Sequence, residues 1–173
     1  MLRERLLARK VVLSGKGQPV CVEGFKLVFN KKSTDDSAKA NLVVEHGAKC
    51  WGVLFSVDPD SLAVLDEAEG APGHYRRKDV SVKIADGEQP AMTYIAQANR
   101  ISVVPEHPYD WYLALILAGA KSQADMPAEW ITHLRKLGHS KPDTKTQSRP
   151  TRTDAIAQLK AAGYANWQDL LIE

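Results

Sequence analysis

Cysteine is nearly absent from these 173 residues: Cys21 and Cys50 stand alone, far apart and without metal-ligand spacing. That excludes a disulfide framework and a cysteine-based zinc site, and it suits a reducing compartment. An excess of charge is absent too. The formal net charge is +2, so nothing calls the chain to nucleic acid or to an acidic membrane. No apolar run approaches the roughly 20 residues that span a bilayer. The opening Met1-Leu2-Arg3-Glu4-Arg5 is too charged for a signal-peptide core. No internal repeat is visible. A phosphate loop is absent as well, because Gly15-Lys16-Gly17 lacks the remaining residues of such a motif. The five histidines are scattered, with no carboxylate or cysteine at ligand spacing, so no metal or cofactor is expected. A cytoplasmic protein is the expectation.

What is present is an ordinary globular balance, 44% hydrophobic and 25% charged, in a length that fits one domain. Residues 2–9 read as a short helix with Leu2 and Leu6 on one face. Ser14 to Pro19 reads as a loop, and Pro19 to Phe29 as a strand in which Gly24 marks a bulge. Asn30 to Lys39 reads as a polar loop. Asn41–Glu45 and Cys50–Val57 are expected to form a hairpin through His46-Gly47-Ala48-Lys49. Trp51 to Val57 is almost wholly apolar, so it is expected to be central and covered on both faces.

Asp58-Pro59 opens a helix that Gly70 stops. Tyr75–Ala85 and Gln89–Ala96 form a hairpin about Asp86-Gly87. The rest is helical: Asp110–Lys121, Pro127–Leu137 and Thr153–Ala162, with an apolar tail at Trp167, Leu170, Leu171 and Ile172. Residues 139–152 are polar and read as a linker or arm. The basic side chains in and just before it (Arg135, Lys136, Lys141, Lys145, Arg149, Arg152) are expected to be solvated. Strands first and helices after predict an α+β fold. The division expected is a main domain over 1–138 and an arm with a helix over 139–173.

One residue breaks the pattern. On a wheel of about 100° per residue, Glu69 falls between Leu62 and Leu65, on the face that meets the sheet. Partial burial, the negative end of the helix dipole and nearby Asp66 all favour the protonated acid. Each makes Glu69 a better proton acceptor near neutrality, as a general base needs. The alternative is an exposed carboxylate before a terminal glycine.

Leu65-Asp66-x-x-Glu69-Gly70, followed by Tyr75, resembles the γ-glutamylcyclotransferase family. Gly24–Phe29, Cys50–Phe55 with its Trp-Gly-Val, and Pro108, Tyr112, Leu115-Ile116 and Gly119-Ala120 agree in order and spacing. The resemblance covers residues 1–138. It implies a small, mostly antiparallel, barrel-like sheet with flanking helices and a C-terminal helical extension. It also implies cleavage of a small γ-glutamyl substrate to 5-oxoproline and a free amine, with Glu69 catalytic and no metal. Tyr75 and Tyr112 match family tyrosines that would bind substrate. Arg5 matches a family arginine, for which a structural ion pair is expected. Family members begin with a strand ending in Tyr-Gly-Ser-Asn. Here Met1 resembles the position just after it, so that strand and loop are expected upstream of Met1, the alternative being a real truncation that leaves a sheet edge unpaired and the site incomplete. Related γ-glutamylamine chemistry and a non-catalytic binding protein on the same fold are the alternatives. The Trp167–Ile172 tail and an open sheet edge favour a homodimer.

Overall fold

A computed structural model describes residues 1–104, 106–144 and 149–172. Helix α1 (Arg3–Ala8) leads into two long strands, β1 (Leu13–Lys32) and β2 (Ala38–Val57). A 3₁₀ turn at Pro59–Ser61 runs into α2 (Leu62–Glu69), and β3 (Tyr75–Ile84) and β4 (Gly87–Ala96) follow as a hairpin. Helices α3 (Asp110–Lys121), α4 (Ala128–Gly138) and α5 (Pro150–Ala161) complete the chain, with a last 3₁₀ turn at Trp167–Leu171. The sheet order is β2-β1-β3-β4, antiparallel throughout. Strand β4 curls back against β2 without sharing a ladder with it. The α+β expectation, with its antiparallel sheet, is met.

The long strands correct three sequence expectations. Ser14–Pro19 is no loop but part of β1, with a register shift between Ser14 and Gln18. The hairpin over Asn41–Val57 does not form, because both of its halves belong to β2 and pair with β1. Phe25 faces Val44 and Val22 faces Cys50, so the extra residues around Gly47 bulge out opposite Gly24. Both glycines have positive φ, +76° and +79°, which lets the ladder kink without breaking. The glycine that reads as a turn signal therefore serves a bulge. The actual reversal lies between Lys32 and Ala38, where Ser33 N–H donates to Ser37 O and Asp35 accepts from Ser37 N–H and Oγ. Trp51–Val57 is also not central. It lies on a strand at the end of the sheet order, mostly half-buried, and lines a cavity of 620 Å³.

Helix α2 forms as its sequence dictates: Asp58 accepts from Asp60 N–H at 2.9 Å, Pro59 sits in the first turn, and Gly70 stops the helix in the left-handed conformation. The main core gathers around α3, where Trp111, Leu113, Ala114, Leu117 and Ala118 are buried with Leu2 and Leu134. Ala155, Leu159, Trp167 and Leu170 join the same core. The apolar tail is thus largely satisfied within its own chain, which removes it as an argument for a dimer; Ile172 alone of the four is exposed. The polar stretch after α4 is not a free linker. Lys141 N–H donates to Pro108 O, Asp110 N–H donates to Lys141 O, and Trp111 Nε1 donates to buried Asp143 at 3.0 Å. Arg149 donates to Asp35 O at 2.8 Å, so this arginine is internal rather than solvated. Lys145 lies outside the described residues. Among the described residues no helix is long and apolar enough to cross a membrane.

Candidate functional site

The local sequence of α1 and α2 builds the site. Leu6 on α1, Val11 just beyond it and Leu65 on α2 are buried together in a small cluster of their own. Apolar burial of this kind, worth roughly 1.5–3 kcal/mol per large side chain, docks the end of one helix on the other. Val12 N–H donates to Ser61 Oγ at 3.0 Å and holds the joint. Two groups meet as a consequence. Glu69, the last residue of α2, lies one turn beyond Leu65, half-buried. Arg9, at the end of α1, reaches it with Nη1 2.5 Å from Oε1. The carboxylate is half-buried, and it has a cationic partner that the helical wheel could not reveal.

Asp66 is not a bare like charge beside Glu69. Arg77 donates to it through Nε at 2.8 Å and Nη2 at 2.7 Å, and the Tyr94 hydroxyl donates at 2.6 Å. These hydrogen bonds, the arginine's first, hold the Asp66 carboxyl below its ordinary range. The neighbouring negative charge is therefore compensated.

Tyr75 and Tyr112 converge on one residue, Ala40 of β2. The Tyr75 hydroxyl donates to Ala40 O at 2.9 Å, while Ala40 N–H donates to the Tyr112 hydroxyl at 3.2 Å. Burial pushes both phenols up, so both are neutral hydrogen-bonding groups. The Tyr75 hydroxyl is committed to Ala40 rather than to Glu69. Glu69, Arg5 and Arg9 all lie within electrostatic range of both tyrosines. The three residues singled out by sequence thus share one region. Asn41 braces it, accepting from Ala96 N–H at 2.8 Å and donating to Asn30 Oδ1 at 3.0 Å.

Sequence reasoning missed the cations here. Lys31 and Lys39 are register partners on β1 and β2. Lys39 Nζ lies 2.7 Å from Asp35 and 4.8 Å from the Tyr112 ring centre. Lys31 is only 6% exposed, with Nζ 5.2 Å from the Tyr75 ring centre and 3.3 Å from His74 Nδ1. Burial pushes both amines down. A signal for Lys31 did exist: it continues the odd-numbered apolar series Phe25, Leu27, Phe29. Arg9 left none, since its contact spans sixty residues. Arg5 lacks its expected ion pair among the described residues, and Nη1 donates instead to Gln158 at 3.4 Å.

The 620 Å³ cavity touches this region at Arg5, Ala40 and Tyr112, but Glu69 and Tyr75 are not in its wall. Cys50 lines it with a thiol that burial pushes up to about 12, so the cavity offers no ready thiolate nucleophile. Among the described residues no group of three or more His, Cys, Asp or Glu side chains converges as a metal site would. What remains is a carboxylate on an arginine, two neutral phenols, buried Lys31 and half-buried Arg5 and Lys39. Such a set can exchange a proton and hold anionic groups.

Residues 3–113 match the family described as "Gamma-glutamyl cyclotransferase, AIG2-like". A structure described as "Gamma-glutamyl cyclotransferase" is similar at TM-score 0.70 and 24% identity, over 91% of this chain and 92% of that one. An uncharacterised protein from Homo sapiens is similar at TM-score 0.68 and 25% identity, over 88% of this chain and 90% of that one. YkqA from Bacillus subtilis is similar at TM-score 0.61 and 23% identity, over 72% of this chain and 45% of that one. No curated protein sequence matches the chain. Likeness at such low identity speaks to the fold, whereas the family match spans well over half of the residues, so the chain belongs to the γ-glutamyl cyclotransferase, AIG2-like family.

Proposed function

We propose that the chain is a γ-glutamylcyclotransferase-like enzyme that cleaves γ-glutamyl amino acids or amines, releasing 5-oxoproline and a free amine. The observation that carries this is the half-buried Glu69 carboxylate within range of two tyrosines pinned to Ala40, in a chain of this family. The chemistry asks little of the protein. The substrate brings its own nucleophile, its α-amine, and needs only to be folded toward its γ-carbonyl. Holding a reactant in a near-attack shape is worth up to about 7–11 kcal/mol.

Glu69 takes a proton from the α-ammonium. The freed nitrogen attacks the γ-carbonyl carbon, and a C–N bond forms as the carbonyl oxygen takes up charge. The carbonyl then re-forms as the bond to the leaving nitrogen breaks; the proton held by Glu69 passes to that nitrogen, and the ring nitrogen gives up its second proton, which ends on the freed amine, leaving a lactam N–H and a product ammonium. No water is consumed and no electrons are transferred. Tyr75 and Tyr112, both held on Ala40, are the proposed contacts of the glutamyl unit.

The test is release of 5-oxoproline from a panel of γ-glutamyl compounds, by the protein and by Glu69→Gln. General acid–base contributions of about 10²–10⁴-fold predict near-complete loss in the variant. Full activity in Glu69→Gln would sink the mechanism. A second reading, a non-catalytic binder of γ-glutamyl compounds, is favoured by two observations: Glu69 already holds Arg9, and it stands outside the wall of the large cavity. Binding without turnover by the unmodified protein would establish it instead.

A further inference from the structure

Resting on the cyclotransferase reading, we propose that Arg9 is a positioning residue of the site: by holding Oε1 of Glu69 it leaves Oε2 as the oxygen that takes the proton and returns it. The contact runs from Nη1 to Oε1 at 2.5 Å. Oε2 accepts no hydrogen bond among the described residues, yet it is not sealed from solvent. The carboxylate is thus divided between an anchored oxygen and an open one.

Every other nearby donor is committed elsewhere or stands off. The Tyr75 hydroxyl donates to Ala40 O, and the Tyr112 hydroxyl accepts from Ala40 N–H. Arg77 and the Tyr94 hydroxyl are taken by Asp66. Lys39 is on Asp35, and Lys31 stands against His74. Arg5 and the Met1 ammonium lie within electrostatic range of Glu69, but neither forms an ion pair with it. Arg9 is therefore the only hydrogen-bond partner of the Glu69 side chain among the described residues. Glutamate is among the side chains with the most rotamer freedom to lose, so without that anchor the base would be spread over many orientations. Arg9 suits the task. Its backbone N–H donates to Arg5 O and Leu6 O where α1 ends, and Leu6 and Val11 on either side of it are buried with Leu65 of α2. Its guanidinium stays charged and only donates, so Arg9 neither gains nor loses a proton in either transfer.

The test is steady-state release of 5-oxoproline, from the γ-glutamyl compound turned over fastest, by the unmodified protein, Arg9→Met and Arg9→Lys. Thermal unfolding of each variant checks that it is folded at the assay temperature. A shift of about 1 Å in a reacting group costs up to about 10²-fold, so Arg9→Met should lose about tenfold or more in kcat while KM stays within about twofold. Arg9→Lys keeps the charge and a donor toward Oε1, and it should regain most of that loss. A merely structural contact would not divide in this way, because a loosened joint between α1 and α2 disturbs binding along with turnover. If Arg9→Met does not fold, Arg9→Gln, which keeps a polar chain in this partly wetted place, is judged by the same measures. Unchanged kcat, a loss carried mainly by KM, or a loss in kcat that lysine does not lessen overturns the positioning role and leaves the cyclotransferase reading standing. If the unmodified protein releases no 5-oxoproline from any γ-glutamyl compound, that reading fails and the positioning role falls with it.

Discussion

Arg9 Nη1 lies 2.5 Å from Glu69 Oε1, joining the end of α1 to the end of α2 across sixty residues of sequence. Their side chains are 20% and 14% exposed, so the pair falls between a surface ion pair and a fully buried one. The contact fixes where the carboxylate points as well as how well the helices hold together.

Removing one member strands the other in a partly dry setting. Arg9→Met should therefore destabilise the fold by about 1–3 kcal/mol, between the values for exposed and buried pairs. Urea unfolding of Arg9→Met, Glu69→Gln and the double variant gives the coupling directly. About 1 kcal/mol is expected from groups in contact. A coupling near zero would show that the pair merely coincides in space.

Tyr75→Phe and Tyr112→Phe should each cost about 1 kcal/mol, the net worth of a typical hydrogen bond. Because both hydroxyls act on Ala40, the double variant should depart from additivity by about 0.5 kcal/mol or more. The same proteins separate anchoring from substrate contact. Lowered 5-oxoproline release with little change in melting temperature marks substrate contact. The reverse outcome marks the hydroxyls as structural pins.

Much of this arrangement was legible because local chemistry speaks plainly. Asp58, Pro59 and Gly70 bound α2 as caps and stops should, and the turn before Gly87 joins β3 to β4. The i, i+3, i+4 pattern delimits α3 at Asp110–Lys121. The twenty-residue strands were not legible, since Gly24 and Gly47 carry turn chemistry while serving a bulge. At the site, the phase of α2 singled out Glu69. Arg9, Lys39 and the Ala40 backbone are brought there by pairing between β1 and β2 and by helix docking, which no local window contains. Helix α5 begins at Pro150 rather than Thr153 because proline fits a first turn, where its missing N–H is no loss.

The Asp66, Arg77 and Tyr94 contacts predict an acid limb in stability. Asp66 has its folded pKa depressed, so between that value and about 3.9 for an unfolded aspartate the unfolded chain binds more protons. The contribution is therefore present above about pH 4 and lost as pH falls through the folded value. Urea midpoints measured from pH 5 to pH 2 should decline less steeply in Asp66→Asn than in the unmodified protein. Parallel declines would mean that these hydrogen bonds carry no net stability.

Lys31 predicts the opposite limb. Burial, and then Arg100, depress its folded pKa below 10.5. Between the folded and unfolded values the unfolded chain binds more protons, so stability rises with pH in the window just below about 10.4. The cost of the buried ammonium is present in full at neutral pH and is relieved as the folded group deprotonates. Lys39 is shifted the same way and adds to the rise, so the difference between two proteins isolates Lys31. Lys31→Met should be as stable as the unmodified protein at pH 7 or more so, by up to about 1 kcal/mol, because an apolar chain replaces an unpaired buried charge. Its stability should also rise less toward pH 10. Urea unfolding of both proteins from pH 7 to 10 reads this, and a large loss in Lys31→Met at pH 7 would show that Lys31 is chiefly a structural group. A more stable variant that releases less 5-oxoproline would instead show a residue kept for its site at a cost in stability.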